Sequence, residues 1–309
     1  MNEQRILSQI QSLGVDPVTV PIGPGDDMAM LNLAAHGASD SMLVAVDQVI
    51  DGIHVDCSRT SMRSIGHKAV ARCLSDVAAM AARPMACLVS AVLPVGCSDE
   101  SAIELFDGMR ETALRHRAPI VGGDLSSHRV DHAPLTCSVT VLATPTDNGP
   151  VERFGAEIGD IVAVTGALGG SLGADGGGRH LTFEPRIGEA IMIHAVLGAD
   201  LHAMIDISDG LGTDAAHLLE RSPQMQIRIE SKDLPVQPGL DWRRAMTDGE
   251  DYELCFCARG EIPAQVLDCS VTQIGRVVER AEGDTRVVVV VDESGVEHDL
   301  TNAGWEHAS

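Results

Sequence analysis

The stretch HKAVARCLSDVAAMAARP, residues 67–84, decides the fold of the first half of this chain. Alanine, valine, leucine and methionine dominate it and no breaker precedes Pro84, which predicts a buried helix over residues 64–82. Asp76 interrupts this apolar pattern. Aspartate is a poor residue for a helix interior, and a buried carboxylate needs a cation or several hydrogen-bond donors. Asp76 is therefore a candidate metal ligand.

Strands and helices alternate on both sides of this helix. β-Branched and apolar runs predict strands at residues 42–49, 85–93, 135–143, 161–165, 226–230, 252–257 and 286–291. Further helices are predicted at residues 3–13, 98–116 and 186–198, and in a segment that ends near residue 219. Interleaved strands and helices indicate an α/β or α+β protein.

Turn-forming and charged residues divide the chain near its middle, at residues 144–159 (TPTDNGPVERFGAEIG). A chain of 309 residues, 44% of them apolar, has room for two domains of about 150 residues each. We predict an N-terminal domain of residues 1–148 and a C-terminal domain of residues 149–309. Aromatic residues make up 2% of the chain, so we expect a core of small aliphatic side chains.

Charge and cysteine content limit the partners and the compartment. The formal net charge of −23 argues against nucleic acid and against an anionic membrane surface as partners. The eight cysteines include no C-x-x-C pair, and no apolar stretch is long enough to span a bilayer. We therefore expect reduced thiols and a cytoplasmic protein.

Further aspartates interrupt apolar or glycine-rich surroundings. They are Asp26 and Asp27 after Gly23-Pro24-Gly25, Asp47 at a strand end, Asp124 after Gly122-Gly123, and Asp206 and Asp209 on either side of Ser208. Asp27 is also compatible with a helix cap or an Asx turn, and Asp124 with an ordinary turn. Alternatively, the two glycines before Asp124 would let the backbone approach a phosphate closely.

Several carboxylates can share one site only if cations neutralise them. Two carboxylates about 4 Å apart repel by about 4 kcal/mol at an effective dielectric constant of about 20. Oxygen ligands without histidine or cysteine indicate Mg²⁺, which commonly completes its coordination with substrate phosphates. The sequence lacks a G-x-x-x-x-G-K-[ST] motif, and the glycine-rich residues 166–178 are compatible with either a flexible loop or phosphate contact.

Seven motifs resemble, in chain order, the signatures of the thiamine-monophosphate kinase family. They are GPGDDMAML at 23–31, DGIHV at 51–55, HKAVARCLSDVAAMAARP at 67–84, Gly-Gly-Asp at 122–124, Val-Thr-Gly at 164–166, MIDISDGLGTD at 204–214 and GEDYELCF at 249–256. That family belongs to the larger group of aminoimidazole-ribonucleotide synthetase-like ATP enzymes.

The resemblance implies a fold and a reaction. The fold would have two α/β domains, with the mixed sheet of the N-terminal domain pairing across a homodimer. The reaction would transfer the γ-phosphoryl group of ATP directly to thiamine monophosphate, with Mg²⁺, giving thiamine diphosphate. An acceptor that is already an ionised phosphate needs no strong general base, so positioning and charge neutralisation would carry catalysis.

The resemblance also implies roles for individual residues. The metal ligands would be Asp27, Asp47, Asp76, Asp124 and Asp209, and the residue pattern adds Asp206 to them. Asp76, Asp124 and Asp209 would be catalytic, and Asp26 is a further candidate. ATP would contact Asp27, Asp47, Gly123, Asp124, Ser208 and Asp209. Thiamine monophosphate would contact His54, Glu250, Asp251 and Trp305. Trp305 is also compatible with a tail residue that packs on the surface.

Three residues depart from the family pattern. Val46 replaces a threonine or serine, Cys73 replaces an asparagine, and Leu125 replaces a threonine. These changes leave two alternatives open beside the kinase. One is another ATP-using enzyme of the same group with a different phosphorylated substrate, and the other is a non-catalytic nucleotide-binding homologue.

Overall fold

Two β-sheets carry the fold. The computed structural model describes residues 16–22, 26–36, 41–173 and 175–304, so the helix predicted at 3–13 lies outside the described residues. The strands of the first sheet are β1 Ala29–Asn32, β2 Ser41–Ile50, β3 Arg83–Leu93, β4 Ile120–Ser127 and β5 Thr136–Thr144. The predicted domain boundary falls between the two sheets, in residues 145–160, and the division into two domains stays a prediction.

The first sheet is covered by helices on one face. Its order is β1-β2-β5-β3-β4, antiparallel except for the β3–β4 pair. Helix α1 (Met62–Ala79) packs on β2 and β5, and helix α2 (Asp99–Arg115) packs on α1. Alternate residues of β5 from Cys137 to Ala143 are buried beneath α1, whereas the residues between them are half-buried. The opposite face of this sheet is therefore uncovered within the described chain.

The second sheet is larger and also mixed. Its strands are β6 Ile161–Thr165, β7 Leu201–Asp206, β8 Met225–Glu230, β9 Leu254–Ala258, β11 Cys269–Glu279, β12 Val288–Val291 and β13 Glu297–Asp299, with the short β10 Gln265–Val266 beside β11. The order is β13-β12-β8-β11-β6-β9-β7, and only β8 and β12 are parallel. Its helices are α3 Ile187–Leu197, α4 Leu211–His217 and α5 Trp242–Thr247. Single 3-10 turns lie at Leu33–His36, Arg179–Leu181, Gly198–Asp200 and Ser231–Asp233.

Helix α1 lies at the centre of the main core. It contacts β2 and β5 on one side and α3 and β7 on the other, and one continuous apolar cluster joins all of them. Valine, alanine, leucine and isoleucine fill this cluster, which confirms the expected small aliphatic core. Within the described residues, each helix is too short or too polar to cross a membrane.

The strands and helices predicted within the described residues are present, but six strands were not predicted. They are β1, β4, β7, β10, β13 and the long central strand β11. Gly275 interrupts the β-branched run of β11 and resembles a breaker. A Cβ atom at Gly275 would lie 2.0 Å from the carbonyl oxygen of Arg228 on β8, so the glycine allows β11 to approach β8 closely, beside a bulge in the pairing of β11 with β6.

Helices α1 and α2 touch through a reciprocal pair of glycines. A Cβ atom at Gly66 would lie 2.1 Å from the carbonyl oxygen of Leu105, and one at Gly108 would lie 2.1 Å from that of Arg63. Each helix backbone therefore rests on the other, and this contact helps to set the position of α1 against the first sheet.

We predict that Gly66→Ala and Gly108→Ala each lower the free energy of unfolding by about 1–3 kcal/mol, because the added methyl group forces the helices apart. Urea denaturation measures the loss. Glu104→Ala, at an exposed position of α2, is the control and should stay within about 0.5 kcal/mol of the parent. Glycine variants as stable as this control would contradict the close packing.

Candidate active site

One face of α1 carries the polar residues of the site. Lys68, Arg72 and Asp76 are spaced four residues apart, so their side chains follow one another along the helix. Ser61 caps the helix, because its side chain accepts a hydrogen bond from the amide of Ser64. Of these three residues, the sequence predicted only Asp76 as part of a site. The structure shows that Lys68 and Arg72 lie on the same face of the helix.

An acidic cavity of about 280 Å³ opens beside Asp76. Its lining includes seven aspartates, namely Asp26, Asp27, Asp47, Asp76, Asp206, Asp209 and Asp214. Asp27, Asp76 and Asp206 each place one carboxylate oxygen within 4.8 Å of the other two. Among the described residues this is the group of side chains that could hold a metal ion. Five of the six predicted metal ligands thus lie at one cavity.

Burial and mutual repulsion change the ionisation of this group. Burial, together with the charge of Asp27, raises the pKa of Asp206 to about 7 although Ser75 Oγ donates a hydrogen bond of 2.5 Å to it. Burial and the charge of Asp206 raise the pKa of Asp76 well above its usual value. Burial and the charge of Asp27 raise the pKa of Asp26 to about 6. Without a cation, these carboxyl groups therefore bind protons at higher pH than free aspartates do.

Two arginines pair with the remaining charges. Arg153 Nη2 donates a hydrogen bond of 2.5 Å to Asp27 Oδ1, and its backbone amide donates one of 3.0 Å to Asp26. Arg72 Nε lies 2.9 Å from Asp47 Oδ2. The second oxygen of Asp27 is buried and has no hydrogen-bond partner among the described residues. A buried, unpartnered oxygen among oxygen-only donors fits a hard divalent cation such as Mg²⁺.

Asp214 holds the turn that carries Ser208 and Asp209. Its Oδ2 accepts hydrogen bonds from the amides of Ser208 (2.9 Å), Asp209 (2.9 Å) and Gly210 (3.1 Å). The turn follows β7 and precedes α4, so the aspartate of the helix fixes the loop before it. Asp214 lies within the motif at residues 204–214, but no role was predicted for it, because its hydrogen bonds to the turn depend on the folded loop.

A second cavity of about 230 Å³ adjoins the acidic one. We call it the mixed cavity, because its lining includes both apolar and polar side chains, among them Ile53, His54, Leu172, Thr247 and Glu250. Four residues line both cavities, namely Arg72, Ser208, Asp209 and Tyr252. These four form the junction between the two spaces.

Lys68 holds the wall of the mixed cavity in place, although it was not among the predicted site residues. The side chain is fully buried, and its Nζ donates to the carbonyl oxygen of His54 (2.7 Å), to His180 Nδ1 (2.8 Å) and to Glu250 Oε2. Burial lowers the pKa of Lys68 to about 8. Burial alone would raise the pKa of Glu250, but His180 and the charges of Lys68 and Arg72 outweigh it and lower this pKa to about 2. Glu250 is therefore an anion held by cations.

Asp251, predicted to contact the substrate, faces the glycine-rich loop. It accepts hydrogen bonds from the amide of Gly169 (2.9 Å), from Ser171 Oγ (2.5 Å) and from Arg179 (2.7 Å). Asp248 accepts a further one from the amide of Gly170 at 2.8 Å. Residues 166–173 thus hold hydrogen-bonded positions instead of forming a free loop.

Gly123 and Asp124 do not join the acidic cavity of their own chain. Asp124 is exposed on β4 and pairs in register with Ser90. Asp47 lies three strands away, which is about 14 Å at the usual strand spacing. A Cβ atom at Gly123 would lie 1.8 Å from the carbonyl oxygen of Val89, so strand pairing already explains this glycine. Trp305 lies outside the described residues.

The three residues that depart from the family pattern lie in different parts of the structure. Cys73 is fully buried, and its Sγ donates to the carbonyl oxygen of Val139 at 3.3 Å, so it belongs to the core beneath α1. Val46 lines the acidic cavity. Leu125 is exposed on β4, beside Asp124. The substitution at Cys73 therefore removes no side chain that faces either cavity.

Comparison with known proteins first gives the class. Residues 25–144 match the family described as AIR synthase related protein, N-terminal domain. The fold also matches a solved structure described as AaThiL complexed with AMPPCP and TMP, with a TM-score of 0.75 and 26% identity over 99% of this chain and 97% of that chain. The two-sheet fold is thus an AIR synthase-like fold, as the sequence predicted.

Two curated relatives give the family. A thiamine-monophosphate kinase of Rhodopirellula baltica is 36% identical over 296 residues, which cover 90% of each chain. A thiamine-monophosphate kinase of Mycobacterium tuberculosis is 33% identical over 316 residues, which cover 94% of this chain and 86% of that protein. The chain belongs to the thiamine-monophosphate kinase family, which confirms the resemblance drawn from the motifs.

We predict that Asp206→Asn stabilises the metal-free protein at pH 8. The pKa of Asp206 rises from 3.8 to about 7 on folding, so its contribution is complete below pH 3.8 and is lost as the pH rises through 7. An amide cannot ionise, so the variant should melt at least about 2 °C higher at pH 8, with the difference closing towards pH 5.

Thermal melts at both pH values, with EDTA or with MgCl₂, measure this effect. Magnesium should raise the melting temperature of the parent at pH 8 and have a smaller effect on the variant, which lacks one of the predicted ligands. A variant that melts below the parent at pH 8 in EDTA would show that the raised pKa is wrong.

Proposed function

We propose that this protein transfers the γ-phosphoryl group of ATP to thiamine monophosphate in a Mg²⁺-dependent reaction, giving thiamine diphosphate and ADP. The observation that carries the proposal is the junction of the two cavities. An acidic, oxygen-lined space suited to metal-bound phosphates opens directly into a mixed space suited to an organic group. The thiamine-monophosphate kinases related to this chain, and the solved AMPPCP and TMP complex, support this assignment.

Asp27, Asp76 and Asp206 are the residues that would hold Mg²⁺. Their oxygens are close together, and one oxygen of Asp27 is buried without a partner among the described residues. When bound, Mg²⁺ supplies positive charge that offsets both the carboxylates and the phosphates of the two substrates. Asp47 lies further along the same cavity, paired with Arg72.

The residues of the chain orient the substrates more than they react with them. An oxygen of the acceptor phosphate attacks the γ-phosphorus of ATP, and the bond from that phosphorus to the β,γ-bridging oxygen breaks as ADP leaves. The acceptor phosphate is largely ionised near pH 7, since its second pKa is about 6, so no general base is needed. Ser208 and Asp209 line the junction on a turn whose backbone amides donate to Asp214, which fixes the position of both residues.

We predict that Asp76→Asn and Asp209→Asn each lower kcat by about 10²- to 10³-fold, the usual cost of losing one electrostatic contact to the transition state. Chromatography of thiamine diphosphate formed from ATP, MgCl₂ and thiamine monophosphate measures the rate, and EDTA should abolish product. Asp268→Asn, an exposed position, is the matched control and should keep full activity. Undiminished kcat in both site variants, or no product from the parent, would refute the assignment.

We also infer that the chain acts as a homodimer through the uncovered face of the first sheet. Val46 and Leu88 are exposed there at 63% and 40%, and β4 is an edge strand with exposed residues along its length. An uncovered apolar sheet face next to an unpaired edge is favourable for pairing with a second copy. A second copy would also explain Asp124, which lies far from the acidic cavity of its own chain.

We predict that Leu88→Asp converts a dimer to a monomer in light-scattering measurements, because it buries a charge at the interface. Ile103→Asp, at a more exposed position on α2, should leave the dimer intact. If Asp124 acts on the second copy, mixing the inactive Asp76→Asn and Asp124→Asn proteins should restore about a quarter of the activity through the mixed dimer. A monomeric parent protein would contradict the homodimer.

A cytoplasmic location is part of the same proposal. All eight cysteines are free thiols, as is usual in a reducing compartment. ATP as co-substrate is consistent with that compartment.

A further inference from the structure

Tyr252 occupies the junction between the acidic and the mixed cavity, and its hydroxyl group has no assigned role. The residue is 3% exposed, and its side chain lines both cavities. Among the described residues the hydroxyl has no hydrogen-bond partner. Buried tyrosine hydroxyl groups almost always have one, because the hydroxyl loses its water on burial. An unpartnered hydroxyl beside two cavities therefore indicates a ligand atom.

The ring of Tyr252 is held in one orientation. It stacks on Phe183 with centroids 3.9 Å apart and an angle of 12° between the rings. The backbone amide donates to the carbonyl oxygen of Ile207 at 2.7 Å, and the φ angle is +52°. A non-glycine residue in the left-handed region is uncommon, and it persists where the surroundings fix it. The hydroxyl therefore has a defined position at the junction.

Arg72 supplies a positive charge at the same place. It lines both cavities, lies 2.9 Å from Asp47 through Nε, and donates from Nη1 to the carbonyl oxygen of Gln48 at 3.0 Å. These contacts use only part of the donor fork, because a guanidinium group has five N–H bonds. The side chain thus retains donors for an anion.

The position and the chemistry select one kind of ligand group. A phenol is protonated at neutral pH and donates to an anion, and a guanidinium group matches a phosphate. The group must also continue into the mixed cavity, so it is attached to an organic moiety. A phosphate monoester satisfies both conditions, whereas the terminal phosphates of ATP belong with the carboxylates of the acidic cavity.

We propose that the Tyr252 hydroxyl and the Arg72 guanidinium group together bind the phosphate of the acceptor at the junction of the two cavities. This inference rests on the proposed function and adds the subsite that distinguishes a phosphorylated acceptor from its alcohol. Tyr252 and Arg72 are binding residues in this account, because both contact the acceptor phosphate.

Tyr252→Phe tests the proposal, because it removes only the unpartnered hydroxyl. We expect the KM for thiamine monophosphate to rise about 10- to 150-fold, as for one lost hydrogen bond to a charged group, with the KM for ATP unchanged. The melting temperature of the ligand-free protein should not fall. In calorimetry with MgCl₂, the variant should lose affinity for thiamine monophosphate and keep its affinity for thiamine.

Two arginine variants give matched controls. Arg72→Lys should weaken thiamine monophosphate more than thiamine, as Tyr252→Phe does. Arg244→Lys, in the mixed cavity but not at the junction, should change both affinities by the same factor. If Tyr252→Phe weakens both ligands equally, raises the KM for ATP as well, or melts lower than the parent, the hydroxyl has a structural role and the inference is wrong.

Measurements on the parent protein distinguish a failure of the proposed subsite from a failure of the proposed function. A parent that neither binds nor phosphorylates thiamine monophosphate would overturn both the proposed function and the subsite. A parent that phosphorylates thiamine monophosphate, with a Tyr252→Phe variant of unchanged KM, would overturn the subsite alone.

Discussion

The close approach of buried carboxylates at one end of α1 is the constraint on which the rest of the structure depends. Asp76 comes from the helix over the first sheet and Asp206 from the end of β7 in the second, yet their oxygens lie within 4.8 Å of each other. Each pKa unit by which such a group is raised corresponds to about 1.4 kcal/mol of unfavourable interaction in the charged form. The apolar contacts of α1 with both sheets must offset that cost.

Cations reach this acidic cluster from separate parts of the chain. Arg72 comes from α1 itself, whereas Arg153 comes from the connection between the two sheets and binds Asp26 and Asp27. This connection reads as a linker in the sequence because it contains turn formers and charges. In the structure, Arg153 of this connection places its guanidinium group in the acidic cavity. The same residue therefore affects both the relative position of the two sheets and the ionisation of the aspartates.

The sequence predicted the acidic half of the site better than its cationic half, for a physical reason. Asp76 contrasts with its alanine and valine neighbours, and so the pattern marks it. Lys68 and Arg72 resemble the ordinary exposed face of an amphipathic helix, and only tertiary packing shows that Lys68 is fully buried. Asp124 follows a Gly-Gly pair that looks functional, but its distance from Asp47 depends on strand order, which local patterns do not determine. Strand β11 was missed for a local reason, since Gly275 interrupts its β-branched run and resembles a breaker.

The segment GEDYE at residues 249–253 links the two cavities to the glycine-rich loop through alternate side chains. Glu250 and Tyr252 have positive φ angles of 65° and 52° and face the cavities. Asp251 and Glu253 point the other way, and Asp251 binds the loop amides while Glu253 accepts hydrogen bonds from Thr165 and Arg186. Glu250 and Tyr252 flank Asp251, and each left-handed conformation costs about 1–3 kcal/mol. The hydrogen bonds that Asp251 accepts from the loop and the stacking of Tyr252 on Phe183 stabilise this segment and offset that cost.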